Sequence, residues 1–315
     1  MKIREAKDKQ VMSTLNANWK CGLAVGLFLS SVCFTAGAAE GISPLQPGAT
    51  TGNPAGALPP PGVYLSVDAN YEWGNLQDGS ANDRTEPKIK IANVSSVANL
   101  TYVPGWEVLG ASYAMSVAQP YKWADTEVTV GGSSTTITDD GNVNTVFVPA
   151  ILSWNLGEGL FLGTGFAFYL DNGADGIGNN YYTFEPNVAI SYLNNGWNLT
   201  ANNIFDFNTK NKDNDYQTGN FYYLDLTATK SVDKWTYGFI GNYTQQFTDD
   251  KQNGTTLAAI DGVRSEGNRA QHVLAGGMLG YNFGSFSLNT RLLYSLRAEN
   301  DADVSFIHVG LSMPL

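Results

Sequence analysis

Val304-Ser305-Phe306-Ile307-His308-Val309-Gly310-Leu311-Ser312-Met313-Pro314-Leu315 ends the chain and alternates two kinds of side chain. Stepping back by twos from Leu315, Met313, Leu311, Val309 and Ile307 are apolar; Pro314, Ser312, Gly310, His308 and Phe306 between them are mostly small or polar. Successive side chains of a strand point to opposite faces, so this segment sets one face against an apolar phase and the other against something wet or packed. A terminal strand of that kind is how an outer-membrane β-barrel ends.

The pattern continues upstream. Phe286, Leu288, Thr290, Leu292, Tyr294 and Leu296 oppose Ser287, Asn289, Arg291, Leu293, Ser295 and Arg297, which puts both arginines on the polar side. Before the tight Phe283-Gly284-Ser285 turn, Val273, Ala275, Gly277, Leu279, Tyr281 and Phe283 oppose His272, Leu274, Gly276, Met278, Gly280 and Asn282. A soluble β-sandwich alternates in the same way, so the rest of the chain must separate the two folds.

Residues 1–39 read as a secretory signal peptide: five basic residues precede an apolar run from Cys21 to Gly37, and Ala36-Gly37-Ala38-Ala39 supplies small residues for cleavage. Both cysteines, Cys21 and Cys33, lie inside it, so the exported chain would have no disulfide frame and no thiolate site. Its 13 Lys+Arg against 27 Asp+Glu make nucleic acid a poor partner. Residues 40–62, ending Leu58-Pro59-Pro60-Pro61-Gly62, carry no periodicity. They read first as a solvated leader and alternatively as a segment folded into a barrel mouth.

Residues 63–315 read as an all-β, antiparallel transmembrane barrel of twelve strands. Val63, Leu65, Val67, Ala69, Tyr71 and Trp73 begin the first, and the others fall near 88–103, 107–119, 142–156, 159–170, 180–193, 196–207, 219–230, 234–247, 269–283, 285–297 and 303–315. The connections separate membrane barrel from sandwich. Short ones at Pro104-Gly105, Gly157-Glu158, Asn194-Asn195-Gly196, 231–233 and Gly284 alternate with longer ones at 75–87, 120–141, 171–179, 208–218, 248–268 and 298–302. An even strand number with short periplasmic turns and long outer loops belongs to bacterial outer-membrane barrels, and it puts both termini in the periplasm. Closure also removes every unpaired edge. Tyr71, Trp73, Trp106, Trp123, Trp154, Tyr192, Trp197, Trp235 and Phe283 fall near strand ends, where interface girdles sit. Pro149 and Pro186 inside strands predict bulges.

Tyr182-Thr183-Phe184-Glu185-Pro186, Asp206-Phe207-Asn208-Thr209-Lys210-Asn211-Lys212 and Asp215-Tyr216-Gln217-Thr218-Gly219 resemble the MetA-pathway phenol-degradation (SphA-like) family of outer-membrane proteins. The Pro59 to Tyr64 start, Tyr243 to Asp250 and the ending Val309 to Leu315 are similar to it as well, so the likeness covers most of 58–315. The resemblance implies a β-barrel that helps aromatic compounds cross the outer membrane on their way to catabolism.

With the polar faces turned inward, the lumen receives Asp68, Glu72, Glu185, Asp206, Asp225, His272, Arg291, Arg297 and His308, with Asn70, Asn187 and Asn202. Phe147, Phe161, Tyr169, Phe221 and Tyr223 fall on the same side and suit stacking by an aromatic solute. Two uses fit this set: an interior network that pairs with itself and braces the wall, or a pore lining in which acids of the first strand face arginines of the eleventh across a charge-separated constriction.

No Gly-x-Ser-x-Gly elbow accompanies the two histidines, so the reading is not an enzyme. Asp249-Asp250-Lys251-Gln252-Asn253-Gly254 opens like a calcium loop, but Lys251 and Ile260 stand where ligands belong, and the sequence calls for no metal and no cofactor. Two functions remain. The first is passive uptake of small hydrophobic or aromatic solutes, with outer-membrane lipid and lipopolysaccharide as surroundings. The second is a structural or surface-interaction barrel with a closed lumen.

Overall fold

The structure, a computed structural model, describes residues 43–76, 88–257 and 269–315. Twelve strands build the wall: β1 Gly62–Leu76, β2 Lys88–Val103, β3 Ala111–Val130, β4 Val146–Gly157, β5 Leu160–Tyr169, β6 Thr183–Asn194, β7 Trp197–Asn208, β8 Phe221–Val232, β9 Trp235–Gln246, β10 Gln271–Asn282, β11 Ser287–Glu299 and β12 Ala302–Pro314. Each pairs antiparallel with its sequence neighbours. β1 returns to β12 from Tyr64↔Pro314 to Leu76↔Ala302, so the sheet closes. Closure pairs the backbone groups that lipid could not solvate.

Local chemistry explains the strands and most turns. Asn195 and Gly196 carry φ of 49° and 76°, the two positive angles of a type I′ hairpin, which only such residues adopt without strain. Residues 120–141, expected as a loop, are largely sheet: β3 runs 20 residues, and Ser133–Asn142 folds back on it from Tyr121↔Asn142 to Val130↔Ser133. The β-branched Val128, Thr129, Val130, Thr135, Thr136 and Ile137 flank Gly131-Gly132, which is hairpin chemistry continued beyond the wall. The last outer connection also departs from expectation. Only Asn300 and Asp301 join β11 to β12, so the alternation of short and long connections stops there.

The two faces of the wall differ sharply. Val67, Tyr71, Val188, Ile190, Leu199, Leu226, Phe239, Leu279, Leu292 and Val309 point out and are exposed, a continuous apolar belt that a soluble protein would not display. Aromatic pairs border it at both ends. Trp106 stacks on Tyr113 at 5.8 Å and Trp235 meets Tyr281 at 4.7 Å near the short turns; Tyr121 meets Trp123 at 4.6 Å near the loops. Inward, Asn70, Asn202, Asp206, Asp225, Asn242, His272, Arg291 and His308 are buried.

Register shifts interrupt the alternation, and two of them move residues expected in the lumen. Between β4 and β5 the register shifts between Phe147 and Ala150, at Pro149, and Phe147 pairs with Phe168 on the outer face. Between β10 and β11, Val273↔Arg297 is followed by Leu274↔Ser295, leaving one extra residue on β11. Everything beyond each bulge changes side. Pro186 makes no shift; the β6–β7 ladder merely lapses between Phe184↔Phe207 and Asn187↔Ile204.

Candidate functional site: the lumen and the segment inside it

Residues 43–61 are not a solvated leader. They descend through the lumen from the loop end to the turn end, where β1 begins, so the chain before β1 doubles back into the barrel instead of staying outside it. At the top Ser43 Oγ donates to Asp206 Oδ2 at 2.5 Å. Lower down, Gln46 meets His308 Nε2 at 3.2 Å and accepts from Asn70 at 3.1 Å. The N–H and hydroxyl of Thr50 both donate to Asp225 Oδ2, at 2.8 and 2.6 Å. Gly52 N–H donates to Thr227 Oγ1 at 2.8 Å. Near the bottom Gly56 N–H donates to Ser191 Oγ at 2.9 Å and its carbonyl accepts from Ser153 Oγ at 2.8 Å. The segment has turns of its own, with Ala49 N–H donating to Gln46 O and Thr51 N–H to Gly48 O at 3.1 Å each, Asn53 N–H to Thr50 O at 3.2 Å and Ala57 N–H to Pro54 O at 2.8 Å.

The predicted lumen residues mostly meet there. Asp68 Oδ1 accepts from Arg291 Nη2 at 2.6 Å across the intervening β12. Gly310 on β12 makes that span possible, because a Cβ there would lie 2.7 Å from Asp68 Oδ1 and 2.8 Å from Asn289 Nδ2. Arg291 also donates from Nη1 to the carbonyls of Ala49 at 3.1 Å and Thr51 at 2.9 Å. Glu72 pairs with Lys122 at 3.3 Å and accepts from Asn93. Asp225 Oδ1 accepts from Asn242 at 2.7 Å. Tyr169 donates to Glu185 Oε2 at 2.8 Å, and Tyr223 stacks on Phe221 at 6.0 Å with Leu45 of the segment packed against them. His272 Nε2 lies 3.0 Å from Ser295 Oγ, and its Nδ1 lies 3.8 Å from Asp301, a line that joins β10, β11 and the final turn.

Two predicted residues are not in the lumen. Phe147 is 43% exposed on the outer face, because the bulge at Pro149 inverts the phase of β4. Arg297 lies beyond the β11 bulge and points out; its side chain is 58% exposed and bonds Glu299 at 2.6 Å, against 6% for the side chain of Arg291 on the same strand. The lumen therefore receives one arginine from β11, not two. The residues missed were those of the segment itself. Ser43, Gln46 and Thr50 lie in a stretch without periodicity, and Thr50 is distinguished only by sitting among other small turn formers.

Two acids outside the spanning strands feel their burial. Asp250 accepts from Gly219 N–H, Tyr216 Oη and Gln246 Nε2, each at 2.7 Å, and ties two outer loops together. Burial still pushes its carboxyl above the usual range. At Asp301 burial, with the charges of Glu72 and Asp303 nearby, raises the carboxyl to about 7. Among the described residues no cluster of three or more His, Cys, Asp or Glu side chains could hold a metal ion.

A closed twelve-stranded wall, an apolar outer belt with aromatic borders and a polar interior define a transmembrane β-barrel of the bacterial outer membrane. The chain belongs to the family described as Putative MetA-pathway of phenol degradation, whose model matches residues 74–303. Among solved structures it is similar to the COG4313 outer membrane channel from Pseudomonas putida F1, with a TM-score of 0.67 and 15% identity over 86% of this chain and 100% of that one. It is also similar to the translocator domain of the autotransporter NalP from Neisseria meningitidis, with a TM-score of 0.51 and 10% identity over 81% of this chain and 88% of that one. No curated protein sequence matches the chain.

Proposed function

We propose that this barrel is a passive outer-membrane channel for small hydrophobic or aromatic compounds destined for phenol-type catabolism, without catalysis of its own. In this reading residues 1–39 are the export signal, 40–62 are the Pro/Gly-rich N-terminal segment, whose residues 43–61 form a lumenal plug, and 63–315 are the barrel, whose belt meets lipid and whose loops meet lipopolysaccharide. Family membership supports the solute class. The observation that carries the transport reading is how the plug is held. Its polar ties to the wall are hydrogen bonds from Ser43, Thr50, Gly52 and Gly56 and to Arg291, which water or a polar solute can replace one at a time.

A structural barrel with a closed lumen is the second reading, and the length of chain fastened inside favours it. Liposomes separate the two. A channel admits phenol and benzoate faster than protein-free vesicles do, and deleting residues 43–58 raises the rate further while the barrel stays heat-resistant. Uptake equal to that of empty vesicles, with and without residues 43–58, removes the transport claim and leaves the fold.

A further inference from the structure

Residues 49–51 are gripped from two sides by groups of opposite charge. Arg291 takes the carbonyls of Ala49 and Thr51, at 3.1 and 2.9 Å, and Asp225 takes the N–H and hydroxyl of Thr50 between them, at 2.8 and 2.6 Å. The two poles are therefore bridged by a single turn residue, Thr50, and the carbonyls on either side of it. Both are fixed from behind, Arg291 by Asp68 at 2.6 Å and Asp225 by Asn242 at 2.7 Å. Apolar wall adjoins them. Leu293 lies against Gly48 and Met278 against Gly52, in a cluster that includes Ile240.

Burying a cation and an anion is costly unless each finds a strong partner. From the plug these two receive only neutral carbonyl, amide and hydroxyl groups. The guanidinium is not saturated: its Nε is buried and has no acceptor among the described residues. A carboxylate is a stronger partner for a guanidinium than the neutral carbonyls it would replace, by about a factor of two per contact.

The geometry points to the gap between Arg291 and Asp225 as a solute subsite for aromatic hydroxy acids, occupied at rest by the plug turn 49–51 as an internal stand-in for the solute. The carboxylate of the acid takes the guanidinium in place of the Ala49 and Thr51 carbonyls. The ring hydroxyl donates to Asp225 in place of Thr50, and the ring lies on Leu293 and Met278. Benzoate meets only the positive pole and phenol only the negative one, so each exchanges half of these contacts. The inference rests on the channel reading and adds to it a solute class and a trigger for plug release.

Thr51 reports the exchange, because it is fully buried beneath Arg291. With Cys21 and Cys33 replaced by Ser, a Thr51→Cys chain in liposomes is labelled by a maleimide in the presence of 4-hydroxybenzoate, benzoate or phenol. The half-effective concentration for faster labelling is expected to be about tenfold lower for 4-hydroxybenzoate than for the other two, the worth of one hydrogen bond to a charged group. Asp225→Asn should erase the difference between 4-hydroxybenzoate and benzoate. Arg291→Gln should label fast with no solute present and lose the preference for acids. If that variant fails to assemble, Arg291→Lys, which keeps the charge without the fork, should weaken the preference. Equal concentrations for the three probes, or an order unchanged in Asp225→Asn, overturn the subsite. Should all three enter liposomes at equal rates, the subsite falls and the channel stands; should none enter, the channel reading falls as well.

Discussion

Asp225 and Leu226 are neighbours on β8, and a border between two regions runs between them. Leu226 is 46% exposed on the outer belt, whereas Asp225 is 2% exposed and holds Thr50. Outward, the wall is kept by a closed backbone ladder and by apolar side chains that only lipid can cover. Inward, the plug is kept by side-chain hydrogen bonds, many ending on a charged group. The first kind is lost only when the barrel opens as a whole; the second is lost bond by bond. The wall is thus suited to be permanent and the plug to be exchanged.

The largest expected break in this contrast is on the belt. Leu292→Arg should cost about 2–4 kcal/mol in a urea titration of the lipid-refolded barrel, whereas Ser287→Arg, on the inward face of the same strand, should cost much less. Equal costs would mean that the two faces are misassigned. On the plug side, Asp225→Ala leaves Thr50 and Asn242 without their acceptor. It should loosen the segment by about 1–3 kcal/mol, read as faster amide exchange at Thr50 while exchange along β8 and β9 is unchanged. Exchange rising equally in both would show plug and wall to be one cooperative unit.

A pH series sharpens the same comparison at the final turn. The Asp301 carboxyl is raised to about 7 in the folded chain, so the folded state holds its proton more tightly than the unfolded one. Stability from this group is fully present below the ordinary carboxylate range and is lost as pH rises from about 4 towards 7. Asp301→Asn should therefore flatten the pH dependence of heat resistance and raise stability at pH 8 by about 1 kcal/mol or more. A loss at pH 8 would assign Asp301 a partner that needs its charge. The smallest effect is expected at Arg297. Its pair with Glu299 is exposed, and Arg297→Gln should change stability by less than about 1 kcal/mol and leave uptake alone, unlike Arg291→Gln six residues earlier.

Legibility in the sequence followed a simple physical line. Wherever lipid lies on one side and the lumen on the other, every second residue must be apolar, so Ile307, Val309 and Leu311 against Phe306, His308 and Gly310 disclose a strand without any knowledge of its neighbours. Turns such as Asn195-Gly196 are equally local, because the backbone angle selects the residue. Strand number, closure and the inward placing of Asp68, Asp206, Asp225, Arg291 and His308 follow from these two rules.

Three features needed the tertiary structure. Pro149 marks a bulge without telling that Phe147 lies on its outward side, and nothing near Arg297 marks the extra residue that turns that side chain out. The hairpin above β3 continues a ladder with β2, from Asn93↔Ala124 to Lys88↔Thr129, which a reading of membrane-spanning lengths leaves out. The plug is the clearest case. Residues 43–61 have no periodicity because they are neither strand nor helix, and their place is set by partners far along the chain: Asp206, Asp225, Arg291 and His308. Alternation records which solvent a residue faces; it carries no information about a segment whose only solvent is the inside of the protein.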